Sequence, residues 1–274
     1  MQNVDISIVV PVFNADTYIE DTLKSLIRSA KYDKNITSEI VVVDGGSSDK
    51  TIEILETYRK KCGSLINYVS RKDSGPAQAM NDGIKMAKGK FITYCDADDF
   101  FMPSALKVFV KVLQKYEVMV GERSGFITRN GKNVTTYTKA TSMRHLLKRI
   151  TKEVKDSYFL HCHVMSSPLA FTKKRFLETG PINEKMIAAY DYDLALKLVY
   201  SKRISPPGYV NKTLLYYRGH SDSRSNRLRD IQVKEGEIAL NEAFKRIDMK
   251  GIEAKFVGRI YPGYLYWEHK KTEK

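Results

Sequence analysis

The stretch FITYCDADD, residues 91–99, joins an apolar run to three carboxylates. Its first five residues are rich in β-branched and aromatic side chains, which predicts a buried strand. Asp96, Asp98 and Asp99 follow at once, and like charges packed at the end of a buried strand repel one another unless a positive group lies between them. A divalent metal meets this need, because Mg²⁺ and Mn²⁺ prefer hard oxygen ligands. The alternative is an acidic turn in which Asp98 or Asp99 caps a helix that starts near Pro103.

Upstream of this stretch, strand and helix patterns alternate without a gap. Continuous apolar, β-branched runs predict strands that are buried on both faces of a parallel sheet, and apolar stripes at helical spacing predict helices. Such alternation predicts an α/β fold with a doubly wound, right-handed, mostly parallel sheet and helices on both faces. The predicted order is strand 6–12, helix 16–29, strand 40–43, helix 49–61, strand 66–69, helix 76–88 and strand 91–95.

Polar clusters close all four of these strands. Parallel strands end at the same edge of a sheet, and ligands of such sheets bind beyond the carboxyl ends of the strands. Glycines in the clusters permit close backbone approach to a ligand, and the helix N-termini that follow favour phosphate. One site is therefore predicted at this edge, and its presence favours a metal over a helix cap. The clusters are residues 11–14, 44–49, 71–75 and 96–99.

After residue 116 the alternation ends. The sequence Arg129-Asn130-Gly131-Lys132 lies between two polar runs and predicts a β-hairpin, because Asn-Gly suits a two-residue turn. No internal repeat or low-complexity linker follows, so we expect one domain over residues 1–220 and a basic, helical C-terminal extension over residues 221–274. The remaining patterns predict helices at 141–151, 191–200 and 228–247 and strands at 163–171 and 209–217.

The composition is that of a soluble globular enzyme, with 42% hydrophobic and 28% charged residues in 274. No apolar run reaches the roughly 18 residues that a membrane span requires, and no signal-peptide pattern is visible. The three cysteines lack metal-type pairing, so a cytoplasmic location is expected. The formal net charge is +14, and all of the excess lies in residues 121–274. This asymmetry indicates an anionic partner such as phosphate groups or a membrane surface.

The polar clusters resemble those of family 2 glycosyltransferases. The matching segments are residues 7–14, 39–49, 75–83 and 96–99, and residues 189–194 (AYDYDL) resemble the acidic helix start that carries the catalytic base of that family. Each motif alone is weak, but their order and spacing are specific over roughly residues 4–218. The resemblance implies a GT-A fold and inverting transfer of a sugar from a nucleotide-diphosphate sugar. Residues 1–120 would then bind the nucleotide-sugar and residues 121–220 the acceptor.

The resemblance also assigns metal ligands within the Asp-x-Asp spacing. Asp98 is expected to bind Mn²⁺ or Mg²⁺, with Asp96 supporting the metal or the ribose and His220 as a further candidate ligand. A metal there would act as a Lewis acid on the departing phosphates. Asp99 is expected to be the helix cap.

Asp191 is the residue that the resemblance implies as the catalytic base. It would deprotonate the acceptor hydroxyl as that oxygen attacks the anomeric carbon. Asp193 is the second choice for this role. The structural alternative for Asp191 is a plain N-cap of the following helix.

The donor site is expected to use residues from each cluster at the sheet edge. Many relatives carry two adjacent aspartates after the second strand, and the second of them reads the base. Here the pair is Asp44-Gly45, and glycine has no side chain to bind an imide, so a UDP-sugar is the favoured donor while GDP and dTDP stay open. Asp44, Arg71 and Asp73 could hold ribose or base, or could be turn residues. The donor-binding candidates are Pro11, Val12, Asn14, Asp44, Arg71, Gly75, Asp96 and Arg218.

The segment from Arg218 to Arg229 reads as a flexible loop. It could close over the donor, with Arg218 or His220 reaching the diphosphate, or it could simply be solvated. His161 and His163 share a strand face and could chelate zinc, but no third ligand is near in sequence, so we expect His163 to line the acceptor pocket.

The acceptor side gives weaker signals. The Gln/Arg-x-x-Arg-Trp sequence of processive polysaccharide synthases is absent, which favours transfer of a single sugar. Aromatic residues are followed by lysines in the tail at 261–271, as is typical of a membrane interface, although they also suit a packing cluster. We expect peripheral contact with an anionic membrane, at its inner face, that brings the site to a sugar or lipid-linked acceptor in bacterial cell-surface polysaccharide or glycan biosynthesis.

Two other functions are compatible with parts of this pattern. A sugar-phosphate nucleotidyltransferase shares the architecture and the metal aspartate, but it needs a Gly-rich basic loop where residues 12–15 read VFNA. A non-catalytic nucleotide-sugar-binding scaffold is the other, and the intact acidic residues argue against it. Nucleic acid is not expected as a partner, because the sheet edge lacks clustered basic and aromatic groups.

Overall fold

The structure is a computed structural model that describes residues 3–129, 132–139, 168–202, 205, 207–246, 252–258 and 266–271. Its strands are β1 (Ile6–Val12), β2 (Ser38–Asp44), β3 (Ile66–Ser70), β4 (Phe91–Tyr94), β5 (Phe100–Phe101), β6 (Val118–Arg129), β7 (Lys132–Lys139), β8 (Leu169–Thr172), β9 (Gly208–Gly219), β10 (Ile252–Gly258) and β11 (Tyr266–Lys271). Its helices are α1 (Ile19–Ala30), α2 (Thr51–Cys62), α3 (Pro76–Met86), α4 (Ala105–Leu113), α5 (Lys173–Thr179), α6 (Tyr190–Tyr200), α7 (Arg224–Arg227) and α8 (Arg229–Arg246), with a 3₁₀ turn at Gly63–Leu65.

One mixed sheet organises these elements. Within the described residues its order is β3-β2-β1-β4-β8-β6-β9-β5, and β7 pairs with β6 at the side. Strands β3, β2, β1 and β4 are parallel, β8 runs antiparallel between β4 and β6, and β6 pairs in parallel with β9. The carboxyl ends of the four N-terminal strands therefore lie at one edge, as the sequence predicts.

The sheet separates two apolar layers. Side chains of successive strand residues point to opposite faces, so Val9 belongs to one buried cluster while its neighbours Ile8 and Val10 belong to the other. Helices α1, α2 and α4 cover the Ile8 face, and α3, α6 and α8 cover the Val9 face. This arrangement explains why β1 and β2 read as continuous apolar runs: both of their faces are buried.

The predicted elements up to residue 95 are all present, and their ends differ by at most three residues from those expected. Two differences have clear causes. Asp49 precedes α2, since its carboxylate accepts the Thr51 N–H at 3.0 Å. Helix α3 ends at Met86, two residues before its predicted end, and Gly89 lies beyond it. A Cβ at Gly89 would meet the Ser7 nitrogen at 2.6 Å, so its role is close approach of the chain to β1.

The second half follows the sequence less closely. The pairing of Arg129 with Lys132 confirms the predicted hairpin, although its turn residues lie outside the described residues. The predicted helix at 141–151 and the stretch with His161 and His163 also lie outside them. The segment from Arg218 to Arg229, which was predicted to be a flexible loop, contains the short helix α7. The structure corrects that prediction.

The C-terminal extension is not wholly helical. Helix α8 is present, but β10 and β11 follow it as an antiparallel pair, so the helical description was wrong for its last part. Three residues of α8, Ala239, Leu240 and Ala243, belong to the same buried cluster as Leu194 of α6. The helix is thus part of the main core. Among the described residues, no helix combines the length and apolar character that crossing a bilayer requires.

The contact between α3 and β1 provides a test of this packing. A Cβ on Gly83 would lie 2.4 Å from Val9 Cγ1. Alanine is ordinarily about 1 kcal/mol better than glycine within a helix, but overpacking a filled core costs about 1–3 kcal/mol. We predict that Gly83→Ala lowers the free energy of unfolding by up to about 2 kcal/mol in urea denaturation. In a Val9→Ala background the same substitution should cost much less, and an equal cost in both backgrounds would contradict this packing.

Candidate functional site

The loop after β1 is tied to the loop after β2 by side-chain hydrogen bonds. Asn14 adopts a φ of 47°, a left-handed conformation that asparagine tolerates better than most residues. Its Oδ1 accepts the Ser48 N–H at 2.9 Å, and its own N–H is donated to Ser47 Oγ at 2.8 Å. The two loops therefore form one rigid rim beside the sheet.

Asp44 organises this rim from within. Its buried carboxylate accepts the N–H groups of Gly46 and Ser47, both at 3.0 Å, and the Ser70 hydroxyl at 2.7 Å. The Ser47 hydroxyl is donated to its other oxygen. Asp44 thus holds the turn through these contacts, and its role in donor binding stays a prediction.

The space beside Gly45 is bounded by another carboxylate. A Cβ at Gly45 would lie 3.1 Å from Asp73 Oδ1 and 3.2 Å from Oδ2. Asp73 Oδ1 also accepts the N–H of Gly75 at 2.9 Å, and Gly75 has a φ of 134° that favours glycine. Burial raises the pKa of Asp73, and the nearby Asp44 and Asp82 add to that rise. A carboxylate from the β3 loop therefore lies where an aspartate at position 45 would have projected.

Three other candidates for donor binding, Pro11, Val12 and Arg71, differ in how far their side chains are exposed to solvent. Pro11 and Val12 are buried within β1, and the Val12 carbonyl accepts the Gly45 N–H at 2.9 Å, so their side chains form the floor of the rim. Arg71 is about half exposed and its Nη2 lies 2.5 Å from Asp82 Oδ2. Its guanidinium is accordingly at the surface of the rim and held by one carboxylate.

The loop of residues 96–99 after β4, called the aspartate loop below, is bound by residues at the end of β9 and just after it. Asp98 Oδ2 lies 2.9 Å from His220 Nε2, and the Tyr18 ring lies 4.6 Å from the His220 ring, measured between centroids. Sequence analysis predicted both Asp98 and His220 as metal ligands, and the structure brings their side chains together from 122 positions apart.

Asp99 does not cap a helix. Helix α4 begins after Ser104 and has no side-chain cap. Asp99 is buried, and its Oδ1 accepts the Arg218 N–H at 3.0 Å. Burial raises the pKa of Asp99 well above its usual value, and the charges of Asp98 and Asp96 add to this effect. The prediction of a cap was wrong because the partner of Asp99 comes from β9, which no local pattern reveals.

Arg218 lies inside the fold. Its guanidinium carbon is 4.8 Å from the centre of the Tyr18 ring and 4.7 Å from that of Phe100. Nε donates to the Asp98 carbonyl and Nη2 to the Asp21 carboxylate, each at 3.1 Å. These contacts differ from the predicted reach towards a diphosphate, and they favour a role in positioning the aspartate loop.

The N-terminal end of α6 approaches Asp96. The Tyr190 hydroxyl lies 3.3 Å from Asp96 Oδ1, and the Arg224 guanidinium lies 5.8 Å from the Tyr190 ring centre. Burial raises the pKa of Asp96 to about 7, with further contributions from the charges of Asp98 and Asp191. These contributions show that the predicted base Asp191 shares one electrostatic environment with the predicted metal aspartates.

Asp191 and Asp193 face different surroundings. Asp191 is partly exposed, and its Oδ1 accepts the Tyr192 N–H at 2.8 Å. It is not an N-cap, because Ala189 holds that position. Asp193 is buried, and its Oδ2 lies 2.7 Å from Lys197 Nζ. These surroundings leave Asp191 as the better candidate for a base.

The described residues contain no group of three or more His, Cys, Asp or Glu side chains already arranged around one metal position. The side-chain pair Asp98 and His220, with Asp96 on the same loop, still fits Mn²⁺ or Mg²⁺, which typically take few protein ligands and complete their shell with water and phosphate. Carboxylate and imidazole donors suit Mn²⁺ in particular. Burial and, after it, the charges of Asp98 and Asp191 raise the pKa of Asp96, and a nearby cation would favour its charged form.

Several residues of the site were missed by sequence reasoning. The sequence patterns assign no function to Tyr190, Arg224, Asp21 or Glu235. Glu235 accepts three backbone N–H groups just before α6. A polar residue in an amphipathic helix carries no sequence signal of such a contact.

Comparisons with known proteins agree with this geometry. The sequence model described as glycosyl transferase family 2 matches residues 7–180. The chain is 25% identical over 253 residues to a chondroitin synthase of Escherichia coli, which covers 89% of this chain but only 33% of that protein. It is 26% identical to an uncharacterized glycosyltransferase of Rickettsia typhi, over 88% of this chain and 72% of the relative.

Solved structures share the fold. Residues 1–349 of Staphylococcus aureus TarS in complex with UDP-GlcNAc superpose with a TM-score of 0.61 at 22% identity, over 90% of this chain and 75% of that one. The mannosyltransferase PcManGT of Pyrobaculum calidifontis, in complex with GDP-Man and Mn²⁺, gives a TM-score of 0.61 at 19% identity, over 90% and 68%. The expected GT-A fold is confirmed.

The setting of Arg218 leads to a stability prediction. Lysine cannot stack between two rings while donating in two directions, so Arg218→Lys should lower the free energy of unfolding by about 1–3 kcal/mol. Asp21→Asn is the matched control: Asp21 is half exposed, and loss of this exposed end should cost less than about 1 kcal/mol. Denaturant unfolding measures both variants. Equal losses would show that the ion pair, and not the buried stacking, stabilises this segment.

Proposed function

Because this chain belongs to glycosyl transferase family 2 and is a glycosyltransferase, we propose that it transfers a single sugar from a nucleotide-diphosphate sugar to an acceptor hydroxyl. The proposed reaction depends on a divalent metal and inverts the anomeric configuration. The nucleotide-sugar would occupy the half formed by residues 1–120 and the acceptor the half formed by residues 121–220.

One observation carries this proposal. Asp96 and Asp98 at the end of β4, Asp191 on α6 and His220 after β9 meet at one edge of the sheet. Sugar transfer needs charge neutralisation at the leaving diphosphate and a base near the attacking hydroxyl. Asp96 and Asp98 are the carboxylates proposed to hold the cation that neutralises the diphosphate, and Asp191 is the one proposed as the base.

Asp191 is the proposed base. It is partly exposed, so an acceptor hydroxyl can reach it, whereas Asp193 is paired with Lys197. Attack on the anomeric carbon from the face opposite the leaving diphosphate would invert its configuration. A proton taken from the hydroxyl would pass to a carboxylate oxygen of Asp191.

Asp98, Asp96 and His220 are the proposed metal-holding residues. Mn²⁺ or Mg²⁺ bound there would supply a Lewis acid for the phosphates. Arg218 and the Asp99 carboxylate keep the loop that carries Asp98 in place through the contacts described above.

A UDP-sugar is the proposed donor. The TarS structure contains UDP-GlcNAc and the PcManGT structure contains GDP-Man, so proteins of this fold bind either nucleotide. Gly45 provides no acceptor for the imide of uracil, and the adjacent Asp73 carboxylate is the group that could accept it. Backbone groups at Pro11, Val12 and Gly75 and the exposed Arg71 would complete the donor site.

The acceptor is proposed to be a sugar or lipid-linked glycan in bacterial surface polysaccharide or glycan biosynthesis. The relatives named for such products include the chondroitin synthase, of which this chain spans only a third, and a poly(ribitol-phosphate) β-N-acetylglucosaminyltransferase. The basic charge of residues 121–274 supports peripheral contact with an anionic membrane. We place the protein in the cytoplasm, at the inner face of that membrane.

A donor screen tests the reaction. We expect hydrolysis or transfer with UDP-sugars, less with GDP- or dTDP-sugars, and dependence on Mn²⁺ or Mg²⁺. Asp191→Asn should lower kcat by about 10²–10⁴-fold, because general base catalysis contributes that much, while binding of UDP with Mn²⁺ persists in calorimetry. Asp193→Asn serves as the comparison for the second aspartate. Full activity in Asp191→Asn, or a larger loss in folded Asp193→Asn, would remove Asp191 from the base role.

Metal binding should depend on pH. The pKa of Asp96 is raised to about 7, and a metal ligand must lose its proton. Apparent Mn²⁺ affinity in the presence of UDP should therefore rise with pH, by up to about 10-fold per unit below pH 7, and level off above it. Titrations followed by electron paramagnetic resonance at pH 6, 7 and 8 measure this. Asp98→Asn should weaken binding at every pH, and a flat profile in the unmodified protein would argue against Asp96 as a ligand.

A further inference from the structure

Glu235 of α8 binds the backbone that leads into α6. Its Oε1 accepts the Ile187 N–H, and its Oε2 accepts the N–H groups of Ala188 and Ala189, all at 2.8 Å. The side chain is buried, with 8% of the residue exposed. Hydrogen bonds from backbone N–H groups to a buried carboxylate are charge-assisted and among the stronger ones in proteins.

This contact supplies what the local sequence lacks. Ala189 is the N-cap of α6 and offers no side-chain acceptor, although helix N-termini leave four N–H groups without an intrahelical partner. Glu235 binds one of these, the N–H of the N-cap Ala189, together with the two N–H groups before it, from a helix more than 40 residues further along the chain. A negative charge at this end of the helix also complements the helix dipole.

A second contact ties the same two helices together. Arg246 Nη2 of α8 lies 3.9 Å from Asp193 Oδ1 on α6, and Leu194 packs in a buried cluster with Leu240. Helix α8 thus holds α6 both at its first turn and just before it. Asp191 lies in that first turn, two residues after the last N–H that Glu235 accepts.

We propose that Glu235 is a positioning residue that fixes the Asp191 carboxylate opposite the Asp96–Asp98 loop. The proposal rests on Asp191 being the base of the proposed function. Reaction rates are sensitive to such placement, since an error of about 1 Å can cost about 100-fold. Glu235 itself contacts only the backbone at residues 187–189 and acts through Asp191. Residues outside the matched family segment 7–180 would then set the geometry of catalysis.

Glu235→Gln in the full chain is the principal test. The amide has the same shape, but its NH₂ group cannot accept the N–H groups that one carboxylate oxygen binds. We expect kcat, with the best donor of the screen, to fall by about 10–100-fold, while the affinity for UDP with Mn²⁺ changes by less than about 3-fold. Hydrogen–deuterium exchange should become faster at residues 187–189. Glu242→Gln is the control, because the Glu242 side chain is about half exposed on the same helix and pairs with Lys245 three residues along.

A double substitution separates positioning from a general structural role. If Glu235 acts through Asp191, Glu235→Gln should cost less than about 3-fold in an Asp191→Asn background, because residues that act as a unit are not additive. An unchanged kcat in Glu235→Gln, a loss of UDP affinity parallel to kcat, or full additivity in the double variant would each overturn the proposal. If Glu235→Gln does not fold, Glu235→Asp is measured by the same assays and judged by the same outcomes.

The two proposals fail in different ways. Full activity of Asp191→Asn would remove the base assignment whatever Glu235 does. A large kcat loss in Asp191→Asn together with normal kcat in folded Glu235→Gln would leave the base in place and remove only the positioning role.

Discussion

Repulsion among the carboxylates after β4 is the constraint on which the site depends. Asp96, Asp98 and Asp99 lie within four positions, and burial, followed by the charges of neighbouring carboxylates, raises the pKa values of Asp96 and Asp99. The fold brings hydrogen-bonding groups to them from distant segments: the Arg218 N–H, His220 and the Tyr190 hydroxyl. All of these lie after residue 189, so the strands and helices of residues 1–120 cannot complete the site alone.

Asp98 and Asp99 show how the fold separates neighbouring residues of one type. The chain turns so that Asp99 is buried against the Arg218 backbone, while Asp98 stays partly exposed beside His220. Arg218 serves both, because its backbone binds the Asp99 carboxylate and its side chain binds the Asp98 carbonyl. A buried, partnered carboxylate holds the loop, and under the proposed function the accessible one is left for a cation.

Local patterns predicted much of this molecule. Apolar runs such as residues 6–12 identified the strands because both sheet faces bury them, and the four polar clusters could be placed at one edge from the rule for parallel strands alone. The partners of Asp99, Arg218 and Glu235 could not be predicted. Their contacts join segments 46 to 197 positions apart, and periodicity reports which face of an element is buried but not what covers it.

The choice between Asp191 and Asp193 follows from helix geometry combined with one such contact. Residues two apart on an α-helix with 3.6 residues per turn project about 200° apart, so only one of the two can face the sheet edge. The spacing alone does not show which of the two carboxylates faces the edge. Lys197 on the next turn of α6 and Arg246 of α8 both lie beside the Asp193 carboxylate, whereas the charge of Asp191 acts on Asp96. Under the proposed function, the contact of α8 with Asp193 therefore leaves Asp191 as the carboxylate on the acceptor side.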